Sequence, residues 1–232
     1  RDFCLSRGLG DVYKRQSVTF DTCDDLNVVR SAGEAFGDFQ LMLADFDANS
    51  LFYTIPDFHN TRKRYEKLKA DAAMDPCGRV AEVQDLLDWL LSVEDEACRL
   101  TDLQEQGVLP LRVTHNDTKL NNILFDEKTG EGLCVIDLDT IMPGLALNDY
   151  GDSIRFGATT AAEDEPDLSK GHFSLELFEA YTKGYLEAAG SALTPKEKEY
   201  LPWGAKLMTL ECGIRFLTDY LEGDTYFKIH RD

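Results

Sequence analysis

The chain has 232 residues, 43% of them hydrophobic, which is enough for a sizeable buried core. Its 24 basic against 43 acidic side chains give a formal net charge of −19, which argues against nucleic acid or anionic lipid as a partner. No apolar run approaches the roughly 18 residues of a membrane span, no secretion signal opens the chain, and six dispersed cysteines without a C-x-x-C pair suit a reduced, cytoplasmic protein without a zinc site.

Residues 1–16 have neither a hydrophobic period nor helix caps, and they place a basic Lys14-Arg15 pair in an acidic chain. They read as a leader foreign to the fold, or as a flexible native N-terminus. Ser31-Ala-Gly-Glu34 has the form of a capping box, and Ala35, Phe36, Phe39, Leu43 and Phe46 follow it at helical spacing. A basic helix is expected from Thr61 to about Ala73, broken at Asp75-Pro76. Val80, Val83, Leu86, Leu87, Leu90 and Leu91 then predict a long amphipathic helix stopping at Gly107.

After Pro110 the period shortens. Strands are expected at Leu111–Thr114, Ile123–Phe125 and Leu133–Ile136, with Gly130-Glu-Gly132 turning the last two into a hairpin. That hairpin is expected to pack on the Val80–Glu105 helix, whose apolar stripe needs a partner. Phe173–Ala189 reads as a helix. Thr194-Pro-Lys-Glu197 is a second capping box, and Pro202 is expected to split the remaining C-terminal stretch into a short and a long helix. The fold class is therefore α+β, mostly helical with a small β region.

The chemistry sits in that β region. Thr114-His-Asn-Asp117-Thr-Lys-Leu-Asn-Asn122 is followed, fifteen residues beyond Asn122, by the aspartate of Val135-Ile-Asp137-Leu-Asp139. Phosphoryl transfer needs a carboxylate to accept a hydroxyl proton and oxygen ligands to hold Mg²⁺ against a triphosphate. Asp117 is the candidate base, Asn122 and Asp137 are candidate Mg²⁺ ligands, and His115 is expected to organise the loop by hydrogen bonding.

These residues resemble the aminoglycoside phosphotransferase and choline kinase family and, within it, kinases of N-acetylhexosamines. Further carrying segments are Ala35-Phe-Gly-Asp-Phe-Gln40, Thr54-Ile-Pro-Asp-Phe-His-Asn-Thr61, Gly151-Asp-Ser-Ile-Arg-Phe156 and Gly213-Ile-Arg-Phe-Leu-Thr-Asp-Tyr220. The resemblance implies a protein-kinase-like C-terminal lobe over residues 17–232, with ATP as co-substrate and Mg²⁺ as cofactor. It implies transfer of the γ-phosphate to the anomeric hydroxyl of an N-acetylhexosamine. It also implies that Phe156, Arg215 and Tyr226 line the sugar pocket, with Asp139, Asp152 and Arg155 in support. Read without it, Arg215 is a surface arginine paired with Glu211, and Phe156 and Tyr226 are core residues.

The family's N-terminal lobe, with its phosphate-covering loop and lysine, has no counterpart ahead of Ser31, so the sequence reads as truncated. The alternatives are a kinase of the same fold for another sugar or an amino alcohol, and an inactive sugar-binding remnant. A sulfatase would need C/S-x-P-x-R, which Cys77-Gly-Arg79 does not supply. A two-metal phosphoesterase would need a ligand cluster beyond Asp137 and Asp139.

Overall fold

A computed structural model describes residues 17–161, 165 and 167–227; the leader reading of residues 1–16 lies outside them. In chain order the elements are β1 (Ser17–Val18), α1 (Leu26–Met42), α2 (Thr61–Met74), α3 (Gln84–Ser92), α4 (Glu94–Ala97) and α5 (Arg99–Glu105). Then come β2 (Arg112–Thr114), β3 (Ile123–Asp126), β4 (Gly132–Val135), β5 (Met142–Gly144), α6 (Ala146–Gly157), α7 (Leu175–Ala189) and α8 (Pro195–Glu222). The chain divides into two units: residues 17–54 with 111–205, and residues 55–110 with 206–227.

In the first unit, α1 begins five residues ahead of the expected box. Asp25 is its N-cap, accepting from the Asn27 backbone N–H at 2.8 Å. Ser31 is thus mid-helix, where its Oγ accepts from the Gly132 N–H at 2.8 Å and so ties the hairpin down. The helix also ends at Met42, and Phe46, expected on its apolar stripe, is exposed.

The hairpin pairs Ile123 with Val135 and Leu124 with Cys134, and β1 adds a third antiparallel strand along β3. Its packing partner in this unit is α1. Helices α1 and α7 approach backbone to backbone. A Cβ on Gly33 would stand 2.2 Å from the Tyr181 carbonyl oxygen, and one on Gly184 would stand 2.1 Å from that of Arg30. Only glycine allows this approach, which buries Val29, Ala32, Tyr181 and Tyr185.

The second capping box forms as read. Thr194 N–H donates to Glu197 Oε2 at 2.7 Å, and Glu197 N–H donates to Thr194 Oγ1 at 3.2 Å. Glu197, wholly buried, also takes a bidentate fork from Arg112 at 2.5 and 2.8 Å. Pro202 does not split α8: it lies inside one continuous 28-residue helix. Pro202 and Lys198 are both solvent-exposed, so the carbonyl that loses its N–H partner can turn to water.

In the second unit, α2 is capped by Asn60 and ends where Asp75 turns left-handed at φ 40°. Tyr65 and Leu68 are fully buried, and Tyr65 Oη donates to the Leu90 carbonyl at 3.0 Å. The single helix expected from Val80 to Gly107 is instead a 3-10 turn followed by α3, α4 and α5. The breaks fall at Val83, Val93 and Cys98. Glu94, Asp95 and Glu96 directly follow Val93, and acidic side chains favour a helix N-terminus over a helix interior.

Candidate active site

The loop after β2 is built around a buried carboxylate that the sequence reading passed over. Asp149, 3% exposed on α6, accepts the His115 N–H with Oδ2 and the Asn116 N–H with Oδ1, each at 2.8 Å. Gln40 Nε2 donates to the same Oδ2 at 3.2 Å. The strand pair β2–β5 brackets the loop, and Thr140 Oγ1 donates to the His115 carbonyl at 2.6 Å. Asn116 takes a left-handed conformation at φ 64°, which asparagine tolerates better than most residues. Its side-chain amide donates to the Thr114 and Thr140 carbonyls.

His115 is fully buried. Its Nε2–H donates to the Ile136 carbonyl at 2.9 Å, and the rings of Phe36 and Phe39 stand edge-on to it. It joins the loop to the end of β4.

Asp117 comes next, with its side chain part-exposed. Asn122 Nδ2 donates to the Asp117 carbonyl at 2.8 Å and to its Oδ2 at 2.9 Å, while Lys119 Nζ lies 3.1 Å from the same Oδ2. The amide nitrogen of Asn122 is thereby committed, leaving its Oδ1 as the atom available to a cation. The Ile136 N–H donates to the Asn122 carbonyl at 2.9 Å, so Asp137 comes next to Asn122 across the hairpin. Asp137 is exposed at φ 63°, ψ 64°, a conformation costly for a non-glycine residue and concentrated at functional sites.

Mg²⁺ takes one or two carboxylates and keeps waters and phosphate oxygens as its remaining ligands. One amide oxygen and one carboxylate at neighbouring positions fit that requirement. No group of three or more His, Cys, Asp or Glu able to hold a metal occurs among the described residues.

On α6, Arg155 donates to Asp152 Oδ1 from Nε at 3.1 Å and Nη2 at 3.0 Å, and its guanidinium carbon stands 3.9 Å from the Phe156 ring centre. The guanidinium thus lies over the Phe156 ring, within cation–π range. Asp139 is exposed in the turn after Asp137.

The other two expected sugar-pocket residues, Arg215 and Tyr226, belong to the second unit. The pairing of Arg215 with Glu211 does not form. Glu211 is buried, taking His59 Nδ1 at 2.8 Å and the Thr61 hydroxyl at 2.9 Å. Burial pushes its pKa up, but His59, Arg64 and the Thr61 hydroxyl outweigh that and hold it below the usual value. Arg215 instead stands among aromatic rings, its guanidinium carbon 5.5 Å from the Phe227 centre, 5.7 Å from Phe58 and 5.9 Å from Tyr226. Tyr226 is 72% exposed, so it is not a core residue.

Neighbouring Arg64 donates to the Phe58 carbonyl at 2.8 Å; burial, opposed by the Glu211 charge, lowers its pKa. Asp219 accepts the backbone N–H groups of Thr225, Tyr226 and Phe227. Burial raises its pKa, but these donors outweigh that and leave it lowered.

Asp149, Lys119 and Asp219 are the contributors that sequence reasoning missed. Lys119 was visible inside the Asp117–Asn122 motif. Asp149 carried a weaker signal, an acid beside the apolar Leu145-Ala-Leu147 run, which reads equally well as an ordinary helix acid.

The loop is set between short strands in a mostly helical α+β fold. The phosphotransferase enzyme family (APH) model matches residues 10–190, and the chain belongs to that family. Among solved structures the chain is similar to an aminoglycoside-3′-phosphotransferase of type VIII, at 16% identity and TM-score 0.45 over 84% of this chain. Among curated proteins it is similar to one named as a subtilisin-like protease of Coccidioides posadasii (strain C735), 24% identical over 149 residues and 61% of this chain. The chain spans 65% of the solved relative's length and 36% of the curated one's. No described helix is long and apolar enough to cross a membrane.

Proposed function

We propose that this chain carries the catalytic portion of an ATP- and Mg²⁺-dependent kinase that phosphorylates the anomeric hydroxyl of an N-acetylhexosamine. The observation that carries the proposal is the Asp117–Asn122 pair with Asp137 brought alongside by the Ile136–Asn122 hydrogen bond. In this reading Asp117 takes the proton of the acceptor hydroxyl as its oxygen attacks the γ-phosphorus. Asn122 fixes the orientation of Asp117 and, with Asp137, would hold Mg²⁺. The ion, when bound, offsets negative charge on the phosphate oxygens. Lys119 offers the transferring group a positive charge inside a chain of net charge −19.

The acceptor assignment rests on Arg215, whose donors suit an amide carbonyl or ring hydroxyls, and on aromatic faces that suit the apolar side of a sugar. A cationic acceptor such as choline is less favoured. The rings that could cage a quaternary ammonium already face a guanidinium, and a second cation would meet its repulsion.

The test is phosphoryl transfer from Mg·ATP to a panel of N-acetylglucosamine, N-acetylgalactosamine, galactose, choline and kanamycin, with products read by ³¹P NMR. A sugar 1-phosphate from the N-acetylhexosamines is expected. Product from choline or kanamycin alone refutes the acceptor class.

A further inference from the structure

The chain ends its last helix with a reversal. Gly223 at φ 96° and Asp224 at φ 61° turn it back along the final turn of α8. Asp219, only 5% exposed on that turn, receives the returning segment. Its Oδ1 accepts the Thr225 N–H at 2.9 Å, the Thr225 hydroxyl at 3.2 Å and the Tyr226 N–H at 2.7 Å, and its Oδ2 accepts the Phe227 N–H at 3.0 Å.

The rings so delivered do not make a core. Tyr226 is 72% exposed, and Phe227 sits edge-on to a part-exposed Phe216 at 4.5 Å. What they do is flank Arg215, with Phe58 as the third ring. An exposed aromatic turn would ordinarily sample many conformations. A buried carboxylate satisfying successive backbone donors removes that freedom before a ligand arrives.

We propose that Asp219 is a positioning residue for acceptor recognition: it locks the Thr225–Phe227 turn so that Tyr226 and Phe227 are held in place about Arg215 to receive the sugar. The inference rests on the reading of Arg215 as an acceptor-binding residue. Asp219 touches no acceptor in it. Its contribution is to the ordering of the pocket, so its loss weakens acceptor binding and leaves nucleotide binding alone.

Calorimetric titration with N-acetylglucosamine and N-acetylgalactosamine, and separately with Mg·ATP, tests it on the wild type, Asp219→Asn and Arg215→Ala. Asparagine keeps an acceptor for the Oδ1 donors but sets an NH₂ against the Phe227 N–H. Asp219→Asn is expected to weaken sugar binding by about tenfold with Mg·ATP binding within about twofold of wild type. Should Asp219→Asn fold poorly, Thr225→Ala removes only the hydroxyl donor and is expected to weaken sugar binding by about threefold, again sparing nucleotide.

Unchanged sugar affinity in the substituted protein, with Arg215→Ala crippled, overturns the role of Asp219 alone. Equal losses for sugar and nucleotide also overturn it, because they mark a merely structural residue. A wild type that binds neither sugar, or an Arg215→Ala that binds as wild type does, removes the acceptor reading and this inference with it.

Discussion

Replacing Asp149 with asparagine tests how the loop after β2 is held. The two carboxylate oxygens take two buried backbone N–H groups, of His115 and Asn116, and Oδ2 also takes the Gln40 amide. Asparagine has one acceptor oxygen, so one of those N–H groups must face an NH₂ with no water to replace the lost bond. An orphaned buried donor costs about 1–3 kcal/mol, and bonds to a charged acceptor lie toward the upper part of that range. Asp149→Asn is therefore expected to lose about 2–3 kcal/mol of a total stability on the order of 5–15 kcal/mol, remaining folded. Urea denaturation reads the loss as a lower midpoint at unchanged slope. Amide hydrogen exchange locates it, with faster exchange at His115 or Asn116 and no comparable change at Tyr65 in the second unit. A stability loss below about 0.5 kcal/mol, or exchange unaltered at both loop amides, would refute the claim that Asp149 holds the loop.

Other substitutions address separate parts of the account. Asp137→Asn is expected to raise the Mg·ATP dissociation constant by at least about tenfold, since it removes the charged member of the proposed ligand pair; titration at fixed Mg²⁺ checks it. Gly33→Ala drives a Cβ against the Tyr181 carbonyl and is expected to cost about 3 kcal/mol or more in thermal or urea unfolding. Glu211 has a folded-state pKa below its unfolded one, so it stabilises the fold fully above the unfolded value and loses that contribution as pH falls through the lowered value. Unfolding measured from pH 7 down to about pH 3 should accordingly fall less steeply in Glu211→Gln than in wild type.

Much of this was legible in the sequence because its signals were local. The Thr194–Glu197 box and the strands on either side of Gly130 depend on neighbours a few residues apart; the box forms as read, and the hairpin forms with its turn at residues 127–129, just ahead of the expected Gly130-Glu-Gly132. The Ser31 box had the same letters, but Asp25 offered an earlier cap and the hairpin claimed the Ser31 hydroxyl, a contact 101 residues distant. Pro202 misled in the opposite sense: its penalty is small where the abandoned carbonyl stays solvated. The motif residues from His115 to Asp137 stand out in the sequence because their order matches what the proposed chemistry needs. Asp149 and Asp219 were not, since each acts by accepting N–H groups from a segment that only folding brings to it.

The central claim is that Asp117 accepts the proton of the attacking hydroxyl while Asn122 and Asp137 serve the metal. Its most direct test is the steady-state rate of N-acetylhexosamine phosphorylation by Asp117→Asn beside wild type, with Mg·ATP affinity measured on the same samples. General-base assistance contributes on the order of 10²–10⁴ to rate, so kcat should fall by at least about 100-fold while the Mg·ATP dissociation constant stays within about twofold. A kcat within about threefold of wild type, or a loss of nucleotide affinity matching the loss of rate, would contradict it.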